Sequence, residues 1–114
     1  RSNNTVGAKT SQEAAQGFVE AVNSDDYEKA SNYVYYENDD IRKDVKKELK
    51  DKDKIQTSLH RHMYKTYKDY KIVSVDESGG EARVTLKRES EPGKIVYSDF
   101  KMKKVDDRWY CDIM

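Results

Sequence analysis

Two histidines, His60 and His62, are the residues of this chain best suited to bind a metal ion or to transfer a proton near neutral pH. In a helix, residues two positions apart point about 200° away from each other, so these two imidazoles cannot hold one ion. The sequence contains no third histidine that could complete such a site. We therefore expect neither a bound metal nor a cofactor.

His62 on its own is a candidate general base. Helical spacing places it with Ile55, Leu59 and Met63, on a face that we predict to point inward. In that position its imidazole could serve acid–base chemistry at the floor of a cavity. The alternative, which we prefer, is a hydrogen-bonded histidine at the edge of the core.

Asp99 is the carboxylate that could pair with His62. It lies inside a predicted strand, where alternation puts it on the face of Tyr97 and opposite Phe100 and Met102. If Phe100 and Met102 face the helices, Asp99 is solvated and forms no dyad with His62. Motifs of a nucleophile elbow or a phosphate-binding glycine loop are also absent from the sequence. We therefore expect no catalytic residues and no enzyme activity.

The nine tyrosines are unusual for a chain of 114 residues. They include two groups: Tyr33, Tyr35 and Tyr36; and Tyr64, Tyr67 and Tyr70. One interpretation is an aromatic surface that binds a peptide, a glycan or a partner protein. The other is that tyrosine replaces scarce leucine and phenylalanine in the core while its hydroxyl stays hydrated. The sequence leaves both open.

Cys111 is the single cysteine, so an intrachain disulfide is impossible. Alternation along the last predicted strand places it on the same face as Trp109 and Ile113. We expect a buried, unreactive thiol with no redox or metal role.

The charge balance excludes some classes of partner. The 22 basic and 22 acidic residues cancel, whereas a nucleic-acid-binding domain normally has a basic excess. The sequence has no apolar run of the ~20 residues that a membrane-spanning helix needs. We expect no nucleic-acid partner, and a membrane association only through a lipid anchor preceding residue 1.

The N-terminal half shows helical periodicity. Residues 1–9 are polar and aperiodic, which predicts a flexible arm or tether before a single domain over residues 10–114. Thr10 followed by Glu13 is a capping box, and it predicts a helix ending near Asn23.

Further helices are predicted before residue 67. An acidic cap at residues 24–26 opens a second one, and its inward face has the following side chains: Tyr27, Ala30 and Val34. Residues 41–66 contain two apolar faces, and the pattern does not decide between two helices and one bent helix.

After Tyr67 the period changes to two, which indicates strands. Four are predicted, over residues 70–75, 82–88, 95–105 and 109–113. Gly79 and Gly80 predict a hairpin between the first two, and Pro92 with Gly93 predicts a type II turn before the third. Helices followed by a meander of hairpins indicate an α+β fold, with the helices on one face of a curved four-stranded antiparallel sheet.

Three local patterns resemble the cystatin-like or nuclear transport factor two-like (NTF2-like) cone. Residues 11–18 with residues 25–30 resemble the opening helix pair of small secreted lipoproteins of Gram-positive type. The segments 72–75 and 79–84 resemble their first hairpin. The acidic turn before Trp109, within residues 105–110, resembles their closing strand.

This resemblance covers about residues 10–114 and implies a cone-shaped interior between the helices and the sheet. The residues expected to line that cavity are Phe18, Tyr27, His62 and Trp109. The resemblance also implies an extracytoplasmic, lipid-anchored protein of the cell envelope, with the polar arm as the tether.

A shared scaffold says little about function. The preferred hypothesis is a non-catalytic binding or structural module of the cell envelope, with a protein or a small molecule as its ligand. The alternatives are a small isomerase or dehydratase that uses His62 in the cavity, and an assembly domain of a secretion or cell-wall machine. A homodimer through the open face of the sheet is a further expectation.

Overall fold

The computed structural model describes residues 6–50 and 58–114, without the side chains at positions 58–60 and 64. The helices in these residues are α1 (Ser11–Asn23), α2 (Tyr27–Ser31), α3 (Asp39–Lys50) and α4 (Ser58–Tyr67). The strands are β1 (Lys71–Ser78), β2 (Glu81–Glu91), β3 (Lys94–Val105) and β4 (Arg108–Asp112). None of these helices is long and apolar enough to cross a membrane.

Some predictions fall outside the described part of the chain. They concern Ile55 and the side chains of Leu59, His60 and Tyr64. Whether α3 and α4 are one bent helix or two depends on residues 51–57, which also lie outside it.

Helix α1 begins and ends where the sequence predicted. The Oγ1 atom of Thr10 accepts a hydrogen bond from the Glu13 N–H at 3.1 Å and so caps the first turn. At the other end, the side chain of Asn23 donates to the Tyr70 carbonyl at 3.1 Å and accepts from the Asp69 N–H at 2.7 Å. These bonds attach the end of α1 to the turn between α4 and β1.

Helix α2 is shorter than the sequence predicted. Asp26 caps it and it ends at Ser31. Val34, which we predicted on its inward face, is fully buried outside the helix, in a parallel bridge with Cys111. There the Cys111 N–H donates to the Tyr33 carbonyl at 2.7 Å. Backbone N–H and C=O groups at the edge of β4 require hydrogen-bond partners. Residues 33–35 supply them in an extended conformation, so the helix ends earlier than its periodicity predicted.

The sheet is antiparallel in sequence order, β1-β2-β3-β4, as predicted. Gly93 has a φ of +80°, the left-handed conformation expected at the third position of the predicted turn. The register between β1 and β2 shifts between Ile72 and Ser74, which leaves Val73 exposed in an irregularity of the edge strand.

Alternation separates a core face of the sheet from an outer face. The buried side chains of the core face are Ala82, Val84, Leu86, Phe100, Met102, Trp109 and Cys111. The apolar stripe of α1 packs on them with Ala14, Ala15, Phe18 and Val22. Asp99 lies on the outer face, 2.9 Å from an Arg83 guanidinium nitrogen, as alternation predicted. The helices thus cover one face of the sheet, which confirms the α+β class.

The segment just before α1 is attached to β4. Ala8 donates its N–H to the Trp109 carbonyl at 3.1 Å and accepts from the Trp109 N–H at 2.8 Å. Arg108 donates to the backbone oxygens of the two residues before Ala8, at 2.9 and 3.1 Å. The sequence assigned this segment to a flexible arm over residues 1–9, and the structure instead ties its last part to the sheet. Residues 1–5 lie outside the described residues.

Replacing Gly17 by alanine is expected to lower stability, although alanine is the better helix former. A Cβ atom at Gly17 would lie 2.4 Å from Cζ of Tyr33 and 2.7 Å from its hydroxyl oxygen. We expect Gly17→Ala to lower the free energy of unfolding by about 1 kcal/mol, because overpacking costs about 1–3 kcal/mol and helix propensity returns only about 1 kcal/mol.

Urea unfolding of four variants tests this expectation. In a Tyr33→Ala background the clash is gone, so Gly17→Ala should then stabilise the protein by about 1 kcal/mol. A stabilising effect of Gly17→Ala in the presence of Tyr33 would contradict the packing argument.

Candidate binding site

Three aromatic rings fill the space between α1, α4 and the sheet. The ring centroids of Phe18, Tyr67 and Phe100 lie 5.4 to 5.5 Å apart in all three pairs, each in edge-to-face geometry. All three side chains are buried. The resemblance implied a cavity beside Phe18, and among the described residues these rings pack against one another there.

Two more residues expected to line that cavity also lie in the core. Tyr27 is buried, and its hydroxyl donates to a carboxylate oxygen of Asp25 at 3.0 Å. Trp109 is buried on the core face of β4. Neither of them lines the surface clefts described below.

His62 is exposed, so the prediction that it points inward was wrong. Among the described side chains of α4 the buried ones are Met63 and Tyr67, one turn apart, and His62 precedes Met63 by one position, which is about 100° around the helix. Its Nδ1 atom lies 3.3 Å from the Thr66 hydroxyl, and the ring contacts Tyr67 edge-on with centroids 5.6 Å apart. Asp99 lies on the opposite face of the sheet, and the structure does not bring the two together.

A different set of aromatic and basic side chains meets beside β4. The rings of Tyr35 and Tyr110 are in edge-to-face contact, with centroids 6.2 Å apart. The Nζ atom of Lys103 lies over the Tyr35 ring, 4.0 Å from its centroid, which is a cation–π distance. Lys103 also lies 3.9 Å from a carboxylate oxygen of Asp112.

Arg42 joins helix α3 to this set. Its guanidinium carbon lies 5.2 Å from the centroid of Tyr36 and 5.5 Å from that of Tyr110. One terminal nitrogen donates to the Val34 carbonyl at 3.3 Å and the other pairs with Asp39 at 3.1 Å. Only 13% of the side chain is exposed. Arg42 therefore fixes the first turn of α3 against the tyrosines.

Some polar atoms of this region are buried without a hydrogen-bond partner among the described residues. They are the Tyr36 hydroxyl, Nε of Arg42 and Oδ1 of Asn32. Burial raises the pKa of Tyr36 far above its ordinary value, although the positive charge of Arg42 acts in the opposite direction. The hydroxyl is thus held neutral and able to donate a hydrogen bond.

An open cleft of about 540 Å³ adjoins these side chains, and we call it the tyrosine cleft. Its lining residues are Tyr35, Tyr36, Glu37, Ile41, Lys103, Asp112 and Met114. Two tyrosines and two exposed apolar side chains provide its apolar surface, and one lysine and two carboxylates provide its charge. The volume falls within the range of small-ligand sites.

Comparison with known proteins places the chain in a family. Residues 4–112 match the family model described as a domain of unknown function, DUF4878. The chain belongs to the DUF4878 family. A search of curated proteins finds no match to this DUF4878 domain.

A solved structure with a TM-score above 0.5 shows the fold of the DUF4878 domain. The domain is similar to a candidate NTF2-like transpeptidase from Campylobacter jejuni, with a TM-score of 0.58 and 16% identity, over 90% of this chain and 97% of that one. It also matches an NTF-2 like protein of unknown function from Shewanella oneidensis MR-1, with a TM-score of 0.45 and 17% identity, over 88% and 89% of the two chains. The fold is NTF2-like, as the sequence resemblance predicted.

The tyrosines of the DUF4878 domain divide between the two interpretations. Tyr67 and Tyr70 are buried, so they replace aliphatic core residues. Tyr35 is half-buried at the surface and lines the tyrosine cleft together with Tyr36. The described members of the second group thus belong to the core, whereas the first group divides: Tyr36 is buried, and Tyr35 supplies aromatic surface.

Sequence reasoning missed three members of the site: Arg42, Lys103 and Tyr110. Tyr110 could have been found, because alternation with the inward Trp109 and Cys111 places it on the outer face. Arg42 and Lys103 gave no such signal, since each is one of 22 basic residues in a highly charged chain.

Cys111 is fully buried, as alternation predicted. Burial raises the pKa of its thiol well above the ordinary value, which lowers the thiolate fraction on which nucleophilic reactivity depends. Its lack of a redox role stays a prediction. Within the described residues, no group of three or more His, Cys, Asp or Glu side chains is placed to hold a metal ion.

Proposed function

We propose that this DUF4878 domain is a non-catalytic binding module of the cell envelope, and that its ligand occupies the tyrosine cleft. The observation that carries the proposal is the position of the aromatic side chains. The rings of Phe18, Tyr67 and Phe100 pack the interior where a substrate pocket was expected. Tyr35 and Tyr36 instead line an open cleft of about 540 Å³.

The lining of the tyrosine cleft favours a peptide segment of a partner protein, or a small molecule of similar character. Aromatic residues are enriched at the centres of protein interfaces. Ile41 and Met114 add exposed apolar surface beside the tyrosines. Glu37, Lys103 and Asp112 surround it with charges of both signs, which suits a ligand that carries both.

The unpaired polar atoms next to the cleft support a bound partner or an ordered water. A buried donor or acceptor without a hydrogen bond costs about 1–3 kcal/mol, so such groups are rarely left unsatisfied. The Tyr36 hydroxyl and Nε of Arg42 are two such groups, and Tyr36 itself lines the cleft.

The envelope location is supported by the resemblance of residues 11–18 and 25–30, of the first hairpin and of the closing strand to secreted lipoproteins. The same resemblance accommodates the third hypothesis, an assembly domain of a secretion or cell-wall machine, in which the cleft would hold a segment of another subunit. Fractionation of the source cells, with detection of the domain in the membrane or in the soluble fraction, tests the location.

The isomerase or dehydratase hypothesis remains compatible with an NTF2-like fold, which hosts many functions. It relied on His62 facing an apolar cavity, and His62 is exposed. No contact of the described residues favours it over the binding hypothesis.

Ligand selection followed by removal of the Tyr35 ring, the more accessible of the two in the cleft, tests whether ligands bind there. We expect peptides selected from a random phage-displayed library, and binders from a small-fragment library, to shift the amide signals of Tyr35, Glu37 and Lys103. Tyr35→Ala should weaken such a hit by about tenfold or more, because aromatic anchors dominate interface energies.

Tyr97→Ala is the matched control, since Tyr97 is 66% exposed and lies outside the cleft. It should leave the affinity unchanged. Hits that map elsewhere on the domain, or that bind the Tyr35→Ala variant as tightly as the unmodified domain, would rule out the tyrosine cleft as the site.

A further inference from the structure

A second feature, on the outer face of the sheet, is independent of the tyrosine cleft. Lys71 of β1 pairs in register with Lys87 of β2, and Lys87 pairs with Tyr97 of β3. Lys71, Lys87 and Tyr97 are exposed, and the neighbour of Lys87 on the opposite face, Leu86, is fully buried. The three side chains therefore form a line across three strands of the outer face, which we call the lysine row.

Elsewhere on the outer face Arg83 and Lys101 also pair in register, but each of them has a carboxylate as a neighbour as well. Arg83 pairs in register with Asp76 on β1, and its guanidinium lies 2.9 Å from a carboxylate oxygen of Asp99. Lys103 pairs in register with Glu81 and lies 3.9 Å from Asp112. In the lysine row, by contrast, Lys71 and Lys87 lie opposite each other without a carboxylate as in-register partner, and neither forms an ion pair with another described residue.

Like charges directly opposite on neighbouring strands are destabilising, so the lysine row is a cost to the fold. An anion bound between the two ammonium groups would turn this repulsion into attraction. The lysine row also borders a cleft of about 430 Å³ at the end of the sheet. Its lining residues are Asp69, Lys71, Lys87, Arg88, Glu89 and Ile95.

Arg88, the third cation of this cleft, is held in place by an aromatic ring. Glu89, one of the two carboxylates of the cleft, already accepts a hydrogen bond from a turn. The guanidinium of Arg88 lies over the ring of Tyr70, 5.2 Å from its centroid. Glu89 accepts a hydrogen bond from the Gly93 N–H at 3.0 Å, which commits it to the β2–β3 turn. The other carboxylate, Asp69, is exposed. With three cations and two carboxylates, the lining of the cleft has a net positive charge.

We propose that the lysine row and Arg88 bind a phosphate group. A phosphate offers several acceptor oxygens at once, which suits a cleft lined by two lysines and an arginine. Tyr97, which belongs to the row, and Ile95, which lines the cleft, are exposed large hydrophobic side chains, and they supply a surface for the organic part of a phosphate ester. The ester is a soluble molecule or a phospholipid headgroup, and the test separates the two.

The first arm uses soluble pyrophosphate and the full ¹⁵N-labelled chain at low salt. We expect saturable shifts of the amide signals of Lys71, Lys87 and Arg88. The Lys71→Gln/Lys87→Gln double variant should bind pyrophosphate at least about tenfold more weakly than the unmodified domain does. The control is Lys101→Gln, which removes a lysine from the outer face outside the row and should keep the affinity within about twofold.

The second arm uses vesicles of zwitterionic phospholipid with and without an anionic phospholipid. Co-sedimentation with the anionic vesicles alone, lost in the double variant, would identify a lipid headgroup as the source of the phosphate. Binding of pyrophosphate without co-sedimentation would identify a soluble ester.

A charge reversal, Lys87→Glu, separates a binding role from a structural one. It creates an opposite-charge pair with Lys71, so we expect the thermal midpoint to rise by about 2 °C while phosphate binding is lost. The proposal is overturned if pyrophosphate and anionic vesicles both fail to bind, or if Lys101→Gln weakens binding as much as the double variant does.

Discussion

Replacing Phe18 by alanine is expected to lower the free energy of unfolding by about 3–5 kcal/mol, as is usual for a fully buried phenylalanine. The ring is buried completely and contacts Tyr67 and Phe100 edge-on, so its removal opens a cavity between α1 and the sheet. A loss of this size is a large fraction of the 5–15 kcal/mol that stabilises a typical domain. Urea unfolding, monitored by the single tryptophan, measures it.

A graded variant and a control make the result specific. Phe18→Leu keeps most of the volume and should cost less than Phe18→Ala, about 1–2 kcal/mol. Tyr97→Ala removes an exposed aromatic ring and should change stability by no more than about 0.5 kcal/mol. A cost of Phe18→Ala below about 1.5 kcal/mol would indicate that a cavity already lies beside the ring, which would revive the substrate-pocket hypothesis.

The domain is expected to lose stability in alkali because three buried acids resist ionisation in the folded state. Burial raises the pKa of Tyr67 from 10.0 to about 12, and it raises the pKa of Tyr36 and of the Cys111 thiol in the same direction. A group whose pKa is higher in the folded state contributes its full stabilisation below its unfolded-state pKa. This stabilisation is lost as the pH rises towards the folded-state pKa. The raised pKa of Tyr67 alone should therefore lower the free energy of unfolding by about 2 kcal/mol between about pH 10 and about pH 12.

Urea unfolding at a series of pH values tests this expectation. Stability should begin to fall near the unfolded pKa of cysteine, about 8.5, and fall more steeply once tyrosine ionises in the unfolded chain. Tyr67→Phe should reduce the alkaline loss by about 2 kcal/mol, whereas the control Tyr97→Phe should leave it unchanged. A free energy of unfolding that stays constant up to about pH 11 contradicts the burial of these groups.

Much of the fold could be predicted from local patterns. The capping box at Thr10 located the start of α1 because a cap is a contact between residues three positions apart. The change of period after Tyr67 located the sheet, and Pro92 with Gly93 located a turn, because both signals depend on neighbouring residues. Alternation placed Asp99 on the outer face and Cys111 in the core. Each of these predictions uses geometry that a short segment carries by itself.

The candidate site could be predicted only in part. Tyr35 and Tyr36 stood out by composition, and the question of whether they form surface or core was left open. His62 was placed on the wrong face, because an apolar stripe of α4 can be drawn with either of two neighbouring positions at its centre. The packing of Met63 and Tyr67 decided between them. An error of one residue on a helix turns a side chain by about 100°, which is enough to move it from the core to the solvent.

The sequence by itself determined the order of helices and strands, the two faces of the sheet and the lack of a disulfide within residues 1–114, because these follow from local spacing and from residue types. Only the tertiary structure decided that Arg42 lies between Tyr36 and Tyr110, that Lys71 pairs in register with Lys87, and that the rings of Phe18, Tyr67 and Phe100 pack together. Each of these contacts joins side chains through the packing of separate elements or the register of paired strands. That arrangement is set by how the whole core fills its volume, and no short segment of the chain contains it.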